Sequence, residues 1–290
     1  MKHKGIILAG GVGRRLGPIT LAVNKHFLPV FDKPMIYYPL CTLMSIGVRD
    51  ILIISTPQDI PRFVQLLADG NRWGINIHYA VQSAPNGIAQ AITIAENFID
   101  NHPSILILGD NIFHGPALTT SFKKATQQAL GVSLWLRQEN QPSDFCVAEI
   151  GDSQRIISLE EKPAAPKSNY IVTGIYFYDN QVIDLVKIIK PSPRNEYEIT
   201  DLNNLYLKMD QATFNMVDLD QIWFDMGTSE NLLRAGQTVK EYEQHLKQKM
   251  GCPEEIAYRN QWINANELGV LAHLQGKSRY GQYLLNLITK

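Results

Sequence analysis

Three short runs of apolar residues most constrain what this chain can fold into. They occupy residues 5–9, Asp50–Ser55 and Ser104–Leu108, and each ends at turn-forming or polar residues. Continuous apolar runs of this length are typical of strands buried on both faces of a parallel sheet. The segments between them, 35–46, 60–68 and 88–98, are long enough for helices. The sequence therefore predicts an α/β, Rossmann-like, doubly wound fold.

The middle of the chain changes character and predicts a mixed sheet. Strand-like segments at 132–136, Cys146–Ile150, 156–158 and 171–178 are separated by turns. Helices are predicted at 181–190 and 198–207. Residues 229–250 are strongly helical in composition, and short helical pieces follow. We therefore expect a three-layer domain over residues 1–228, with a C-terminal helical lobe over residues 229–290.

Composition excludes several classes of protein. The chain has 290 residues and a net charge of −1, so no basic surplus points to nucleic acid. Its three cysteines, Cys41, Cys146 and Cys252, form neither a metal pair nor a disulfide framework, which indicates a reducing cytoplasm. The N-terminal apolar run is too short for a signal peptide, and no segment is long and apolar enough to span a bilayer. We expect a cytoplasmic protein without nucleic-acid or membrane partners.

A glycine-rich loop follows the first predicted strand, over residues 8–16 (Leu-Ala-Gly-Gly-Val-Gly-Arg-Arg-Leu). Glycines allow the backbone N–H groups to approach anionic oxygens, and Arg15 adds a rigid donor fork. The loop is not a Walker loop, because Arg14 follows Gly13. It is not a dinucleotide fingerprint either, because Leu16 stands where glycine is required, which excludes an NAD-dependent oxidoreductase. With Lys25 close behind in sequence, the loop predicts a phosphate site.

Two aspartates are candidate metal ligands. Asp110 directly follows the strand Ser104–Leu108, at the edge where parallel sheets bind ligands. Magnesium prefers oxygen and usually needs one or two carboxylates plus phosphates, although an Asp-Asn turn is a common alternative for this sequence. Asp225 lies between aromatic residues and a Gly-Thr turn. It is a second candidate ligand or a helix N-cap, for which Thr228 and Ser229 are better placed.

A charged cluster at residues 160–163 supplies groups for a sugar phosphate. Glu161 is suited to accept hydrogen bonds from sugar hydroxyls, and Lys162 is suited to hold a phosphate. Charged turns before proline are common, so this cluster gains meaning only beside the other sites.

Together these segments resemble the sugar nucleotidyltransferases, and among them the glucose-1-phosphate thymidylyltransferases. The matching stretches are residues 4–11, 32–40, 51–59, 108–113, 159–163, 172–179, 198–201 and 252–257. The resemblance covers nearly the whole chain. It implies a nucleotidyltransferase fold and Mg²⁺-dependent transfer of a thymidylyl group from dTTP to glucose 1-phosphate, in which an already anionic sugar phosphate needs no general base. It also implies a homotetramer, a dimer of dimers, that serves deoxysugar or rhamnose biosynthesis and hence lipopolysaccharide.

The resemblance also implies a role for each site residue. Nucleotide binding falls to Leu8, Gly10, Gly11, Gly13, Arg15, Gln82, Gly87 and Asp110. Asp110 and Asp225 are the implied metal ligands. Sugar-phosphate binding falls to Cys146, Glu161, Lys162, Val172 and Arg194. Arg15, Lys25 and Lys162 are the implied catalytic groups, and Arg259 is implied in a regulatory nucleotide site at a subunit interface.

The chain departs from the family pattern at two places. Val12 and Arg14 replace small polar residues and Gly17 replaces a tyrosine, so Arg14 either contacts phosphate or points to water. Phe145-Cys146 stands where the family has Tyr-Gly, and the thiol is expected to crowd the sugar. These changes leave open another hexose 1-phosphate, UTP instead of dTTP, a weakly active paralogue, or a non-catalytic sugar-nucleotide sensor.

Overall fold

The computed structural model describes residues 2–11, 13–128 and 130–289. The strands are β1 (Lys4–Leu8), β2 (Pro29–Val30), β3 (Lys33–Pro34), β4 (Asp50–Ser55), β5 (Asn76–Val81), β6 (Ser104–Leu108), β7 (Asn111–His114), β8 (Val132–Gln138), β9 (Cys146–Ile150), β10 (Ile156–Glu161), β11 (Tyr170–Tyr178), β12 (Ala212–Met216) and β13 (Ile222–Asp225). The helices are α1 (Tyr37–Ser45), α2 (Ile60–Leu67), α3 (Gln90–Ile94), α4 (Glu96–Ile99), α5 (Pro116–Ala125), α6 (Val182–Val186), α7 (Ile199–Lys208), α8 (Ser229–Leu246), α9 (Pro253–Arg259), α10 (Ala265–Leu274) and α11 (Arg279–Ile288).

The central sheet is mixed, as the sequence predicts. Across the described residues it has nine strands, and its main path runs β10-β9-β11-β6-β1-β4-β5. Strands β6, β1, β4 and β5 are parallel, whereas β11 is antiparallel to β6 and to β8. A separate two-stranded ribbon pairs β7 with β13, although these strands are far apart in sequence. The ribbon brings Asp225, the last residue of β13, next to Asp110, which directly precedes β7.

A separate hydrophobic core lies against each face of the sheet, so the fold has three layers: helices, sheet and helices. Along β1 the side chain of Ile6 enters one core and that of Ile7 enters the other, because successive strand residues face opposite sides. Helices α1, α2 and α9–α11 cover the Ile7 side, and α3, α4, α6 and α7 cover the Ile6 side. This confirms the predicted α/β architecture and explains why the parallel strands are continuously apolar.

The C-terminal helices pack onto the rest of the fold. Ala235 and Val239 of α8 share a small core with Leu16 and Met226, and α9–α11 contribute to the core on the Ile7 side. Helix α8 begins after Thr228, whose side chain accepts a hydrogen bond from the backbone N–H of Asn231. Asp225 is therefore not the N-cap of this helix. In the part of the chain described, no helix has the length and apolarity needed to cross a membrane.

Several predicted element bounds were wrong. The helix expected at 88–98 is divided into α3 and α4 at Ala95. The helix expected at 181–190 is limited to Val182–Val186, and that expected at 229–250 ends at Leu246. Strand β10 extends to Glu161, so Glu160 and Glu161 belong to a strand and not to a turn. Pairing with β9 accounts for this extension, since Glu160 lies opposite Val147 and Glu161 opposite Cys146.

Candidate active site

The glycine loop and Asp110 begin side by side at the carboxyl edge of the parallel strands. Leu8 and Leu108 are partners in the β1–β6 register, and the N–H of Gly109 donates to the carbonyl of Leu8 at 2.9 Å. The carboxyl ends of parallel strands are where open α/β sheets bind ligands. The fold therefore places the predicted phosphate loop and the first predicted metal ligand at one edge.

The glycine loop lies against Lys25, and the backbone at Gly13 requires a glycine. Gly13 has a φ of 62°, and a Cβ on it would lie 2.9 Å from the methyl group of Thr20 and 3.4 Å from Cβ of Lys25. A Cβ on Gly11 would lie 3.5 Å from Nζ of Lys25. Val12 falls outside the described residues. The Lys25 ammonium group therefore lies next to the backbone of the glycine loop, which has no side chains at Gly11 and Gly13 to cover its N–H groups.

The two arginines that follow differ in surroundings. Arg15 lies 3.5 Å from Asp225, measured between Nη2 and Oδ2, and its side chain remains 54% exposed. A Cβ on Gly227 would meet the same Nη2 at 2.4 Å, so the glycine makes room for the guanidinium. Arg14 and Gly17 are exposed on the same short turn. Arg15 is therefore the arginine that the structure directs toward the aspartates.

Lys25, Asp110 and Asp225 form a largely buried charge cluster. Lys25 makes an ion pair with Asp110, and their side chains are 13% and 11% exposed, respectively. Asn111 and Asp225 are partners in the β7–β13 ribbon, and the N–H of Met226 donates to the carbonyl of Asp110 at 2.9 Å. The ribbon brings the two carboxylates together, with one lysine and one arginine against them.

The pKa values of the two aspartates move in opposite directions. Burial acts to raise the pKa of Asp110, but the charge of Lys25 and its hydrogen bond outweigh it and hold the value at about 2. Burial and then the negative charge of Asp110 raise the pKa of Asp225 to about 6, against Lys25 and Arg15. The repulsion between the two carboxylates indicates that added positive charge would stabilise the cluster.

Two carboxylates are a suitable protein donor set for Mg²⁺. Within residues 2–11, 13–128 and 130–289, no group of three or more histidine, cysteine or acidic side chains could hold a metal ion. Mg²⁺ usually takes only one or two protein carboxylates and completes its shell with water and substrate phosphates. Asp110 and Asp225 fit this pattern, because they are acidic, largely shielded from solvent and mutually repelling.

Gln82 and Gly87 form a polar corner beside the glycine loop. The buried amide of Gln82 donates to the carbonyl of Gly87 at 3.2 Å and to Oε1 of Gln90 at 2.9 Å. A Cβ on Gly10 would lie 2.9 Å from Oε1 of Gln82. Gly87 has a φ of 105°, and a Cβ there would lie 2.3 Å from the carbonyl oxygen of Tyr197. This corner can present an amide to a flat heterocycle next to Gly10.

A cavity of about 180 Å³ is lined by both aspartates. Of the predicted residues it is lined by Arg15, Asp110, Cys146, Glu161, Lys162, Val172 and Asp225. Lys162 has a left-handed backbone with φ of 45°, an uncommon conformation that often accompanies functional positions. The cavity therefore joins the predicted sugar residues to the predicted metal ligands.

Arg194 does not line this cavity but contacts Glu161, which does. Its Nη2 lies 2.9 Å from Glu198 and 3.4 Å from Glu161, and it lines a separate open cleft. Burial acts to lower the pKa of Arg194, but the carboxylate of Glu198 and its neighbours raise it overall. The hydroxyl of Thr200 donates to Glu161 at 2.5 Å from another side. Glu161 is thus held by Thr200 and Arg194 at the rim of the cavity.

Cys146 is buried in the wall of the cavity. Burial raises the pKa of its thiol to about 12, although a hydrogen bond with Thr200 opposes the rise. The residue lies in β9, and its φ is not in the left-handed region. A cysteine therefore causes no backbone strain here, and its side chain adds volume to the wall of the cavity.

Sequence reasoning missed several residues that shape the site. They are Asn24, His26, Asn111, Gly174, Thr200, Trp223 and Gly227. Trp223 donates from Nε1 to Oδ1 of Asn111 at 2.9 Å, and Asn111 donates to Asp110 at 3.2 Å. A Cβ on Gly174 would collide with the Asn111 side chain at 2.8 Å. Proximity in sequence was a usable signal for Asn111, which follows Asp110, and for Asn24 and His26, which flank Lys25. The contacts of Gly174 and Thr200 with the site are long-range and left no such signal.

Comparisons with known proteins identify the family of this chain. The family model described as nucleotidyl transferase matches residues 4–242, and members of this family generally use a divalent metal. The glucose-1-phosphate thymidylyltransferase of Neisseria meningitidis serogroup A is 47% identical over 287 residues, covering 99% of this chain and 100% of the relative. The enzyme of the same name from Mycobacterium tuberculosis is 47% identical, covering 99% of both chains.

Solved structures show the same fold. A Bacillus anthracis protein assigned as a glucose-1-phosphate thymidylyltransferase, solved with sucrose, is 43% identical with a TM-score of 0.76, covering 81% of this chain and 94% of that one. UDP-glucose pyrophosphorylase with UDP-glucose is 23% identical with a TM-score of 0.70, covering 83% and 100%, and supports the fold alone. The chain therefore belongs to the nucleotidyl transferase family and is an enzyme of that class, similar over nearly its whole length to glucose-1-phosphate thymidylyltransferases.

Proposed function

We propose that the protein transfers a thymidylyl group from dTTP to glucose 1-phosphate and releases dTDP-glucose and pyrophosphate. One observation carries the proposal beyond the relatives' names. Asp110, paired with Lys25, and Asp225 line the same cavity as Glu161 and Lys162, while the polar corner of Gln82 adjoins Gly10 of the glycine loop. A reaction that joins a nucleotide to a sugar phosphate needs phosphate, base and sugar subsites grouped in this way.

The proposed chemistry has one step and no proton transfer. An anionic oxygen of the sugar phosphate attacks the α-phosphorus of dTTP, a new P–O bond forms, and the bond to the bridging oxygen breaks as pyrophosphate leaves in line. Since the nucleophile is already charged at neutral pH, no general base is needed. The protein's task is to align the two phosphates and neutralise their charge.

We assign this task to the residues of the site as follows. Leu8, Gly10, Gly11 and Gly13 lie along the triphosphate and its nucleoside, and Arg15 and Lys25 neutralise the reacting phosphates. Gln82 and Gly87 contact the pyrimidine edge. Glu161, Val172 and Cys146 contact the sugar, while Lys162 and Arg194 hold its phosphate. Asp110 and Asp225 hold Mg²⁺, which when bound adds positive charge at the phosphoryl oxygens.

The test of this function is pyrophosphate release by the purified protein with Mg²⁺. We expect release with dTTP and glucose 1-phosphate, and weaker release when UTP replaces dTTP or another hexose 1-phosphate replaces glucose 1-phosphate. Omission of either substrate is the control. Faster turnover with a different pair would reassign the substrates within the family. Absence of release with every pair would favour a non-catalytic sugar-nucleotide sensor.

Cys146 is expected to limit the size of the sugar. Replacing it by glycine removes the thiol from the cavity wall, so we expect Cys146→Gly to raise the kcat/KM ratio for N-acetylglucosamine 1-phosphate over glucose 1-phosphate by roughly 10-fold. Cys146→Ser, which keeps a side chain of the same shape and only slightly smaller size, should change this ratio little. Glycine within a strand also costs about 1 kcal/mol of stability, so thermal unfolding of both variants accompanies the kinetics. An unchanged ratio in Cys146→Gly would show that the thiol does not face the sugar.

We further propose that residues 1–228 form the catalytic domain and that residues 229–290 form an oligomer and regulatory interface around Arg259. Helices α8 and α10 expose Leu233, Leu246, Val270 and Leu274, which a homotetrameric dimer of dimers would cover. Light scattering by the purified protein measures the oligomeric state, and a monomer would contradict the assignment.

The three free, buried cysteines favour a cytoplasmic enzyme. Its product would enter deoxysugar or rhamnose biosynthesis.

A further inference from the structure

His26 is a buried imidazole next to Lys25, and the chemistry proposed above gives it no role. Its side chain lies on the short 3-10 turn Lys25–Phe27 and the residue is only 1% exposed. Burial, followed by the charge of Lys25, lowers its pKa to about 3, although Asp110 opposes the shift. The ring is therefore neutral at physiological pH and contributes through its contacts rather than through charge.

The orientation of Asn24 determines which nitrogen of His26 carries the proton. The Asn24 Nδ2 group donates to the carbonyl of Ala9 at 3.2 Å and to Oδ2 of Asp59 at 2.8 Å. Both partners accept only, so the amide oxygen faces His26. That oxygen lies 2.9 Å from the backbone N of His26 and 2.6 Å from its Nδ1. Nδ1 must carry the proton and donate, because an amide oxygen cannot.

The other edge of the ring rests on the residue before Asp110. A Cβ on Gly109 would lie 2.6 Å from Cδ2 and 2.8 Å from Nε2 of His26. The backbone of Gly109 is itself held by its hydrogen bond to Leu8. The imidazole is thus clamped between Asn24, which is bonded to the glycine loop, and the strand end that leads to Asp110.

We propose that His26 is a positioning residue for Lys25. Its Nδ1–H holds the turn to Asn24 while its ring spaces the turn from Gly109, so the Lys25 ammonium stays between the glycine loop and Asp110. The inference rests on the proposed function only in giving Lys25 a task on the triphosphate. The positioning itself depends on the contacts of Asn24, His26 and Gly109.

Kinetics of two His26 variants test this role. His26→Leu keeps much of the volume but loses the donor, and we expect it to lower kcat roughly 10- to 100-fold, as a misplaced catalytic group does. The KM for glucose 1-phosphate should change little. His26→Asn can restore an N–H to Asn24 and should recover much of kcat. The matched control is His102→Leu. His102 also makes local contacts through Nδ1, to the carbonyls of Ile99 and Asp100. It precedes β6 and so lies at the amino end of that strand, away from the site.

A double-mutant cycle separates positioning of Lys25 from a general structural effect. If His26 acts through Lys25, adding His26→Leu to Lys25→Met should lower the remaining kcat far less than it does in the wild-type background. Equal losses in both backgrounds would overturn the proposal. Wild-type kcat in His26→Leu, or an equal loss in His102→Leu, would overturn it as well.

Amine labelling measures the position of Lys25 without turnover. Lys25 is shielded and ion-paired, so its acylation by a succinimidyl ester, followed by peptide mass spectrometry, should be slow in the wild type and severalfold faster in His26→Leu. Lys33, which is buried elsewhere, provides the internal reference. Faster labelling of Lys25 alone would support the positioning role even if no substrate pair reacted, a result that would reject only the proposed function. Unchanged labelling would overturn the positioning role even in an active enzyme.

Discussion

Asp225→Asn is expected to lower Mg²⁺-dependent turnover roughly 1,000-fold, or about 4 kcal/mol of transition-state stabilisation, while the protein remains folded. The amide has the same shape as the carboxylate but loses the charge that a divalent cation requires. Folding should survive, because the substitution also removes the repulsion between Asp225 and Asp110. The lost pair with Arg15 contributes little, since that guanidinium is half exposed. Pyrophosphate release and thermal unfolding measure the two effects.

Glu230→Gln is the matched control for this variant. Glu230 is an exposed acidic residue in the first turn of α8, five positions beyond Asp225 in sequence, and it does not line the cavity. We expect its kcat to stay within about twofold of wild type, because an exposed charge outside the cavity lining is screened by water and salt. Asp225→Ala should also abolish Mg²⁺-dependent turnover. Normal turnover in either Asp225 variant would refute the metal role.

The parallel half of the fold was predictable, because strands buried on both faces appear in the sequence as continuous apolar runs. The bounds of β4 and β6 agree with the apolar runs from which they were predicted. Strand β5 was missed because it lies at the end of the sheet path and has polar, exposed positions such as Asn76 and His78. Apolar continuity therefore identifies central strands and fails for edge strands.

The site was predictable in part, and the missing part is long-range. Asp110 could be placed from sequence because it follows a central strand. Its partner Asp225 is brought beside it by the β7–β13 ribbon, which joins distant segments that carry no strong strand pattern of their own. The orientation of His26 likewise depends on Gly109 in another strand-end loop. Such contacts follow from tertiary structure and leave no local spacing to detect.

The same tertiary contacts make Lys25 both a structural and a catalytic group. Lys25→Met removes the only lysine against two buried carboxylates within the described residues, so we expect a loss of about 3 kcal/mol of folding stability at pH 7. We also expect kcat to fall roughly 100- to 1,000-fold, because a preorganised charge on the reacting phosphates is lost. Chemical denaturation and steady-state kinetics measure the two losses separately.

Two further variants separate these roles of Lys25. Asp110→Asn added to Lys25→Met should recover stability, because no unpaired charge then remains at Asp110, but it should not recover kcat. Lys33→Met is the matched control: Lys33 is 1% exposed and lies 2.7 Å from Glu243, outside the site, so its loss should lower stability and leave kcat unchanged. If Lys33→Met lowered kcat as much as Lys25→Met does, the kinetic loss would reflect stability alone.

Lys25→Met also removes the cation that competes with Mg²⁺ for Asp110. We therefore expect Mg²⁺ to raise the unfolding temperature of Lys25→Met more than that of the wild type. This measurement tests the metal site without any turnover.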